Sequence, residues 1–387
     1  MKILHTVEFY SPSVGGAQEV VRRISEQLVR RGHEVTVATK HLPERTSTNI
    51  NGVEVAGFAI SGNQTRGYQG ATDPYLRFLT GSKFDVMMNY AAQQWATDLA
   101  YGVLPEIPCR KVMAPCGFSG LFNPEYRSYF EELPAILRNY DRLIFHSNSG
   151  RDVDFARQHG IQSRTLIPNG ASSIEFSSPD PGFRKKYKIP DGQPLLLTVG
   201  SHTGAKGHAV VMEAFRRARI GPATLVIVGN TFGSAGCLPR CRFQAQLVRL
   251  STFGQKRVLL LDPPRTDVLA AYAAADLFVF GSNVECSPIV LFEAAASKTP
   301  FLSTACGNAQ EIAEWTDSGV ILPTRRNSDG SVQTNAAAAA RGIEDLFADR
   351  RRLDKLAKTG YDAWSNRFTW EKIALEYERL YLQLVQS

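Results

Sequence analysis

The apolar positions of this chain change period along its length, and the changes predict strands alternating with helices. Lys2 to Val7 is a short apolar run, and Ser11 to Gly16 is a Pro/Gly loop. From Ala17 to Arg31 the apolar residues Val20, Val21, Ile24 and Leu28 then recur at helical spacing. Gly32 and His33 end that helix, and Glu34 to Thr39 begins the next strand. The result is a strand, loop, helix, strand unit whose loop opens onto a helix N-terminus. Unpaired backbone N–H groups and the helix dipole favour an anion there. Gly15 and Gly16 stand at that opening, and Gly16 would let a phosphate approach the backbone.

Further strands are predicted at Val53 to Phe58, Val86 to Asn89, Arg110 to Ala114, Leu143 to His146 and Thr165 to Pro168. Ser149 with Asp152 three residues on reads as a capping box that starts a helix through Arg157. Ser172 to Gly182 is rich in Ser and Pro with little periodicity, and is assigned as a linker. The alternation then restarts with a strand at Leu195 to Val199, a Gly-rich loop to Gly207, a helix from His208 to Arg219 and a strand at Thr224 to Val228. Val258 to Leu261 and Leu277 to Phe280 continue the series, and Ile289 to Ser297 is a helix starting near Ser287 and Pro288. Such alternation in both halves predicts an α/β chain with two parallel, doubly wound sheets, which bind ligands at the carboxyl ends of their strands.

A length of 387 residues suits two domains better than one, and 43% hydrophobic with 21% charged residues is an ordinary globular composition. Asp276 and Glu293 interrupt the two most apolar C-terminal stretches, so no run approaches the roughly 18 residues of a membrane helix. Met1 to Thr6 is too short for the apolar core of a signal peptide. A cytoplasmic protein is expected, with at most peripheral contact at the inner face of a membrane. The net charge of +7 is spread thinly, since residues 1–185 hold 20 Lys+Arg against 18 Asp+Glu and residues 186–387 hold 24 against 19. A basic stripe interleaved with aromatics is missing, so no nucleic-acid partner is expected. No GxGxxG follows the first strand, which disfavours a dehydrogenase. The six cysteines lack CxxC pairs and read as reduced thiols. Cys237 and Cys241 are only a CxxxC in a Gly/Pro-bounded loop, and no metal is assigned to them.

The most informative stretch is Glu285-Cys286-Ser287-Pro288-Ile289-Val290-Leu291-Phe292-Glu293, two carboxylates with seven residues between them. Gly15-Gly16, Ile167-Pro168-Asn169-Gly170, Val199-Gly200 through Lys206-Gly207-His208, and Leu269 to Phe280 precede it. Phe368-Thr369-Trp370 and an amphipathic helix follow. In this order the chain resembles the family-4 retaining glycosyltransferases of GT-B architecture over nearly its whole length. The resemblance implies two Rossmann-like domains facing across a cleft. These are an N-terminal acceptor-side domain over 1–180, a C-terminal nucleotide-sugar domain over 181–365, and a last helix in 366–387 that crosses back to the N-terminal domain.

The resemblance also implies a donor that is a UDP-, GDP- or related nucleoside diphosphate sugar, with no cofactor and no metal. Lys206 would neutralise charge on the leaving diphosphate. Glu293 would accept the ribose hydroxyls, and Glu285 would stand beside the transferred sugar. Gly200 and Ser201 would flank the nucleotide, and the turn through Ser287, Pro288, Ile289 and Val290 would offer backbone N–H groups to phosphate or sugar. The expected reaction keeps the anomeric configuration, with the leaving diphosphate accepting the proton of the acceptor. The acceptor is expected to be a glycan, a lipid-linked glycan or a small molecule, met by loops around Gly62 to Thr80 and Gly117 to Tyr129.

Two residues depart from the family pattern. Ser201 stands where an Arg usually follows the glycine at position 200, which removes a charge-assisted bidentate contact. Cys116 stands where a His usually lies close to the transferred sugar, and His5, His146 and His202 are candidate substitutes, with Cys116 and His146 assigned to the sugar pocket. Two other classes therefore stay open. One is a nucleotide-sugar-binding protein without turnover, and the other is a GT-B-type sugar-nucleotide epimerase, which would convert donor alone.

Overall fold

The computed structural model describes residues 1–81, 83–231 and 236–387. They form two compact units, Met1–Asn169 with Trp370–Ser387, and Gly170–Thr369.

The first unit contains β1 (Lys2–Thr6), β2 (Glu34–Lys40), β3 (Asn49–Ile50), β4 (Val53–Phe58), β5 (Ser61–Asn63), β6 (Gly67–Gln69), β7 (Val86–Tyr90), β8 (Arg110–Ala114), β9 (Arg142–Phe145) and β10 (Arg164–Leu166). Eight of these make one sheet in the order β10-β9-β8-β7-β1-β2-β4-β3, while β5 and β6 form a separate hairpin. Pairing is parallel except between β3 and β4. The helices α1 (Gly16–Arg30), α2 (Asp73–Gly81), α3 (Trp95–Tyr101), α4 (Arg127–Leu137) and α5 (Arg151–Gln158) connect the strands. Tyr75 and Trp95 are fully buried and meet Phe58 edge to face, anchoring α2 and α3 on β4.

The second unit contains β11 (Leu195–Val199), β12 (Ala223–Val228), β13 (Lys256–Leu261), β14 (Leu277–Phe280), β15 (Phe301–Ser303) and β16 (Gly319–Ile321), all parallel, in the order β13-β12-β11-β14-β15-β16. A short antiparallel pair, β17 (Arg325–Arg326) and β18 (Val332–Gln333), lies apart from it. The helices are α6 (Phe183–Lys186), α7 (His208–Arg217), α8 (Leu238–Ser251), α9 (Arg265–Ala274), α10 (Ile289–Ala296), α11 (Ala309–Thr316), α12 (Ala336–Ala348) and α13 (Arg350–Arg367). Alternation along each strand feeds two cores. Leu195, Leu197, Val226, Val228, Phe278 and Phe280 enter one, and Leu196, Leu225, Ile227, Leu277 and Val279 enter the other. A sheet covered on both faces is apolar at nearly every position, which is why these strands read as near-continuous apolar runs.

The last helix, α14 (Trp370–Gln386), belongs to the first unit and packs against α1. Glu378 on α14 holds Arg31 at 2.6 Å and His33 at 2.8 Å just past the end of α1. The stretch Ser172 to Gly182 is not a linker. Phe176 is buried against Tyr272, and Glu175 pairs with Arg265 at 2.8 Å, so the segment is part of the second unit and the chain divides at 169/170. Its large apolar residues are Ile174 and Phe176, of which only Phe176 is buried, and this leaves no period to read.

Candidate functional site

The strand order of the second unit reverses between β11 and β14, the point where a doubly wound sheet opens a crevice at its carboxyl edge. Loops from those two strands bring Lys206 and Glu285 together. Lys206 Nζ lies 2.6 Å from Glu285 Oε1, and Ser282 Oγ donates to the same oxygen at 2.7 Å. The Asn283 N–H donates to the Ala205 carbonyl at 2.8 Å, tying the two loops through their backbones. Gly207, the N-cap of α7, has φ +67, and a Cβ there would stand 1.8 Å from the Gly281 carbonyl oxygen. Only glycine allows that approach. A Cβ at Gly200 would come within 3.1 Å of the Lys206 stem, and Ser201 turns the chain by accepting the Thr203 N–H at 2.8 Å.

The loop after β14 then leads into α10. Pro288 is its N-cap, so Ile289 and Val290 occupy the first turn, whose N–H groups precede the intrahelical ladder. Ser287 lies just before the cap, and the Asn308 N–H holds the Cys286 carbonyl at 3.0 Å. Glu293, one turn further, is buried and meets Arg265 Nη2 at 2.5 Å. Arg265 also holds Glu175. Burial opposes its charge, but the Glu293 and Glu175 carboxylates outweigh that and raise its pKa. The two glutamates of the motif thus meet different cations. Glu285 faces a mobile ammonium, and Glu293 faces a guanidinium clamped from two sides. Arg265 and Glu175 escaped the sequence reading because one lay at an unmarked helix start and the other in the supposed linker.

In the first unit, Gly15 caps α1 and Gly16 is its first residue. A Cβ at Gly16 would meet nothing within 4 Å, so the helix start is open, whereas one at Gly15 would press on the Gln18 side chain at 2.5 Å. Beyond β7 and β8 the backbone is unusual. Ala91, Gln93, Cys116 and Phe118 all take left-handed conformations, with φ of 67, 64, 59 and 45, a strained state that clusters at functional sites. Two buried carboxylates hold these loops. Asp98 accepts the N–H groups of Gln93 and Gln64 at 3.1 Å and the Tyr129 hydroxyl at 2.9 Å. Asp152 accepts the Gly117 N–H at 2.9 Å and the Val153 N–H at 3.0 Å. Burial raises the pKa of each to about 6. The capping box expected at Ser149 and Asp152 does not form, because Gly150 is the N-cap of α5 and Asp152 serves the Cys116 loop instead.

Cys116 is half-buried on that loop. The histidines considered as its substitutes are engaged elsewhere. His146 is buried, with Nδ1 on the Ile167 carbonyl at 2.9 Å and Nε2 at 3.0 Å from the Tyr90 hydroxyl. Both ring nitrogens of His146 thus have partners within the first unit. His5 lies between Ser25 Oγ at 2.8 Å and the Tyr381 hydroxyl at 3.2 Å, and burial lowers it to about 3. His202 turns toward Cys237 Sγ at 3.5 Å. The CxxxC pair that looked isolated in the sequence therefore has imidazoles packed against it.

Two family models match the chain. The glycosyltransferase family 4 model matches residues 14–172, and the glycosyl transferases group 1 model matches residues 180–363. The chain is 27% identical over 323 residues to the lipopolysaccharide glucosyltransferase WaaG of Escherichia coli, covering 78% of this chain and 80% of that protein. It is 23% identical to the N-acetyl-alpha-D-glucosaminyl L-malate synthase of Bacillus anthracis, covering 97% and 96% of the two. Among solved structures it resembles sucrose-phosphate synthase from Thermosynechococcus elongatus, with a TM-score of 0.79, 21% identity, and 99% and 98% of the chains covered. Anabaena HepE in complex with UDP and glucose is similar at a TM-score of 0.76 and 18% identity, with 99% and 100% covered. These structural likenesses bear on the two-domain Rossmann-like fold.

Proposed function

We propose that this chain, which belongs to the family-4 glycosyltransferases, moves a hexose-type sugar from a nucleoside diphosphate sugar to an acceptor hydroxyl with retention at the anomeric carbon. The observation that carries the reading is the Lys206–Glu285 pair at the strand reversal of the second unit, 2.6 Å apart. An arriving diphosphate would draw Lys206 from Glu285 and take the open N–H groups of Ile289 and Val290, so that ammonium and helix start together stabilise the charge that grows as the anomeric C–O bond breaks. Glu285, released from Lys206, faces the sugar hydroxyls. Glu293, oriented by Arg265, accepts the ribose hydroxyls. The acceptor oxygen bonds to the anomeric carbon on the face the diphosphate leaves, and its proton passes to the leaving diphosphate oxygen. The reading assigns the donor's charge to these groups and to no metal.

HepE bound to UDP and glucose supports UDP as the nucleotide, and WaaG supports an acceptor of the lipid-linked glycan class. Among the described residues no helix is long and apolar enough to cross a membrane. Peripheral contact at the inner membrane face fits such an acceptor. Calorimetry with UDP and a transfer assay over a donor panel test the reading together. Glu285→Gln should lower transfer far more than UDP affinity, because its contacts matter mainly as the sugar departs. An affinity loss as large as that of Glu293→Ala would reverse the two assignments, and absence of saturable nucleoside diphosphate binding would overturn the proposal.

A further inference from the structure

We infer that the second unit holds a structural zinc ion on His202, His208, Cys237 and Cys241. His202 lies on the loop after β11, His208 opens α7, Cys237 caps α8, and Cys241 is one turn on along the same helix face. One ligand atom from each lies within 4.8 Å of the others. Cys237 Sγ stands 3.5 Å from His202 Nδ1, 3.9 Å from His208 Nδ1 and 3.6 Å from Cys241 Sγ. A tetrahedral zinc with bonds of ~2.3 Å to sulfur and ~2.05 Å to nitrogen needs edges of about 3.8 Å between sulfurs and about 3.6 Å from sulfur to nitrogen. The three edges at Cys237 match those values within about 0.3 Å, and the four atoms as a set, within 4.8 Å of one another, close onto the ion through small side-chain movements.

The competing account is a thiol–imidazole cluster joined by weak hydrogen bonds, and two features favour the ion. Four soft and borderline ligands in an S2N2 set with no carboxylate are what zinc selects. His202, His208 and Cys241 are all about 2% exposed and Cys237 is half-buried, so three of the four ligands are withdrawn from solvent. The backbone is also built for the approach. The Cys237 N–H donates to the His202 carbonyl at 2.9 Å, and Gly236, at φ +49, lies so close that a Cβ would stand 1.8 Å from that oxygen.

With four protein ligands there is no open position for a substrate, which makes the ion a staple. On binding, both thiol protons leave to solvent, and the two thiolates balance the zinc charge. The site therefore adds no cation to replace the Arg absent at position 201. It fixes the ends of the 202–208 loop instead, and with them the place of Lys206.

The test uses the full chain, purified in reductant without added metal and analysed by elemental mass spectrometry. One zinc per chain is expected, removable by chelator with a fall in melting temperature. Cobalt added to the stripped protein should give the intense visible bands of a tetrahedral site and a sulfur-to-cobalt charge-transfer band. Cys241→Ser should lose the charge-transfer intensity of one thiolate and weaken zinc by at least 10-fold, with UDP affinity measured alongside to show that the unit is folded. Because the cobalt titration reads the unaltered protein, misfolding of the variant cannot mask the result. Reduced protein that takes up neither zinc nor tetrahedral cobalt would overturn the inference, as would a Cys237–Cys241 disulfide whose reduction restores no metal binding. Sugar transfer and UDP binding are assayed separately, so failure of the zinc inference is distinguishable from failure of the proposed function.

Discussion

At the carboxyl ends of β11 and β14 the second unit presents charge in pairs, Lys206 with Glu285 and Arg265 with Glu293 and Glu175. At the corresponding ends of β7 and β8 the first unit presents buried carboxylates occupied by backbone N–H groups, and a backbone turned left-handed at Ala91, Gln93, Cys116 and Phe118. Both sheets reverse direction after their first strand, so the topology is shared and the difference lies in the loops. A diphosphate carries the same charge in every donor and is met by cations, which act over several ångströms. A neutral sugar or acceptor must be met by shape and directed hydrogen bonds, which a rigid backbone supplies. Sequence motifs therefore mark the first kind of loop and leave the second nearly silent.

The comparison breaks most visibly at Gly207. Valine there would need a left-handed backbone and would drive its Cβ into the Gly281 carbonyl. Strain of this kind costs about 1–3 kcal/mol before the steric overlap is counted, so a loss above about 3 kcal/mol is expected. For a unit of this size each kcal/mol shifts the melting temperature by about 2–4 °C. Calorimetric scanning of Gly207→Val should show the second unit's transition lowered by at least about 6 °C, with the first unit's nearly unmoved. A shift of less than about 2 °C would mean that the two loops do not depend on that contact.

Much of this was legible before any coordinates. Every strand predicted from the apolar runs is present within two residues of its predicted ends, because parallel strands buried on both faces leave an unmistakable pattern. Lys206, Glu285 and Glu293 were also legible as candidates, since they sit in a motif of fixed spacing. What was lost lacks any local signal. Arg265 is 28 residues from Glu293 in sequence and 2.5 Å away in space. Asp152 reads as the capping-box partner of Ser149 because its actual partner, the Gly117 N–H, is 35 residues distant. His202 and His208 meet Cys237 and Cys241 only because β11 and β12 lie side by side. The short strands β15 and β16 hold three residues each, too few for a period to emerge.

Asp152 tests the strained side of the comparison through pH. Burial raises it from 3.8 to about 6, so between these values the folded chain binds the proton better than the unfolded chain. Stability then falls as pH rises through this window, and the cost is fully present above about 6. Asp152→Asn removes this titration. It also removes one of two acceptor oxygens, a constant penalty of about 1 kcal/mol. The melting temperature of the variant relative to wild type should therefore be lowest near pH 4 and climb toward pH 7, by the equivalent of about 2 kcal/mol. A difference that stays flat with pH would show that Asp152 is charged at ordinary cost and that its loop is less enclosed than the geometry implies.

The smallest effect on stability should come from Gly16, which with Gly15 stands at the anion-favouring start of α1. A Cβ there meets nothing within 4 Å, and the residue opens α1 at a conformation that alanine adopts freely. Alanine also has the better helix propensity, so Gly16→Ala should leave the first unit within about 0.5 kcal/mol of wild type or slightly more stable. The space left empty by the glycine is then available to a ligand, and a methyl group would hold a phosphate away from the N–H groups at the helix start. Affinity for the nucleoside diphosphate sugar should fall by about 10-fold, or 1.4 kcal/mol, with the melting temperature unchanged. Unchanged affinity together with unchanged stability would show that the start of α1 holds no phosphate.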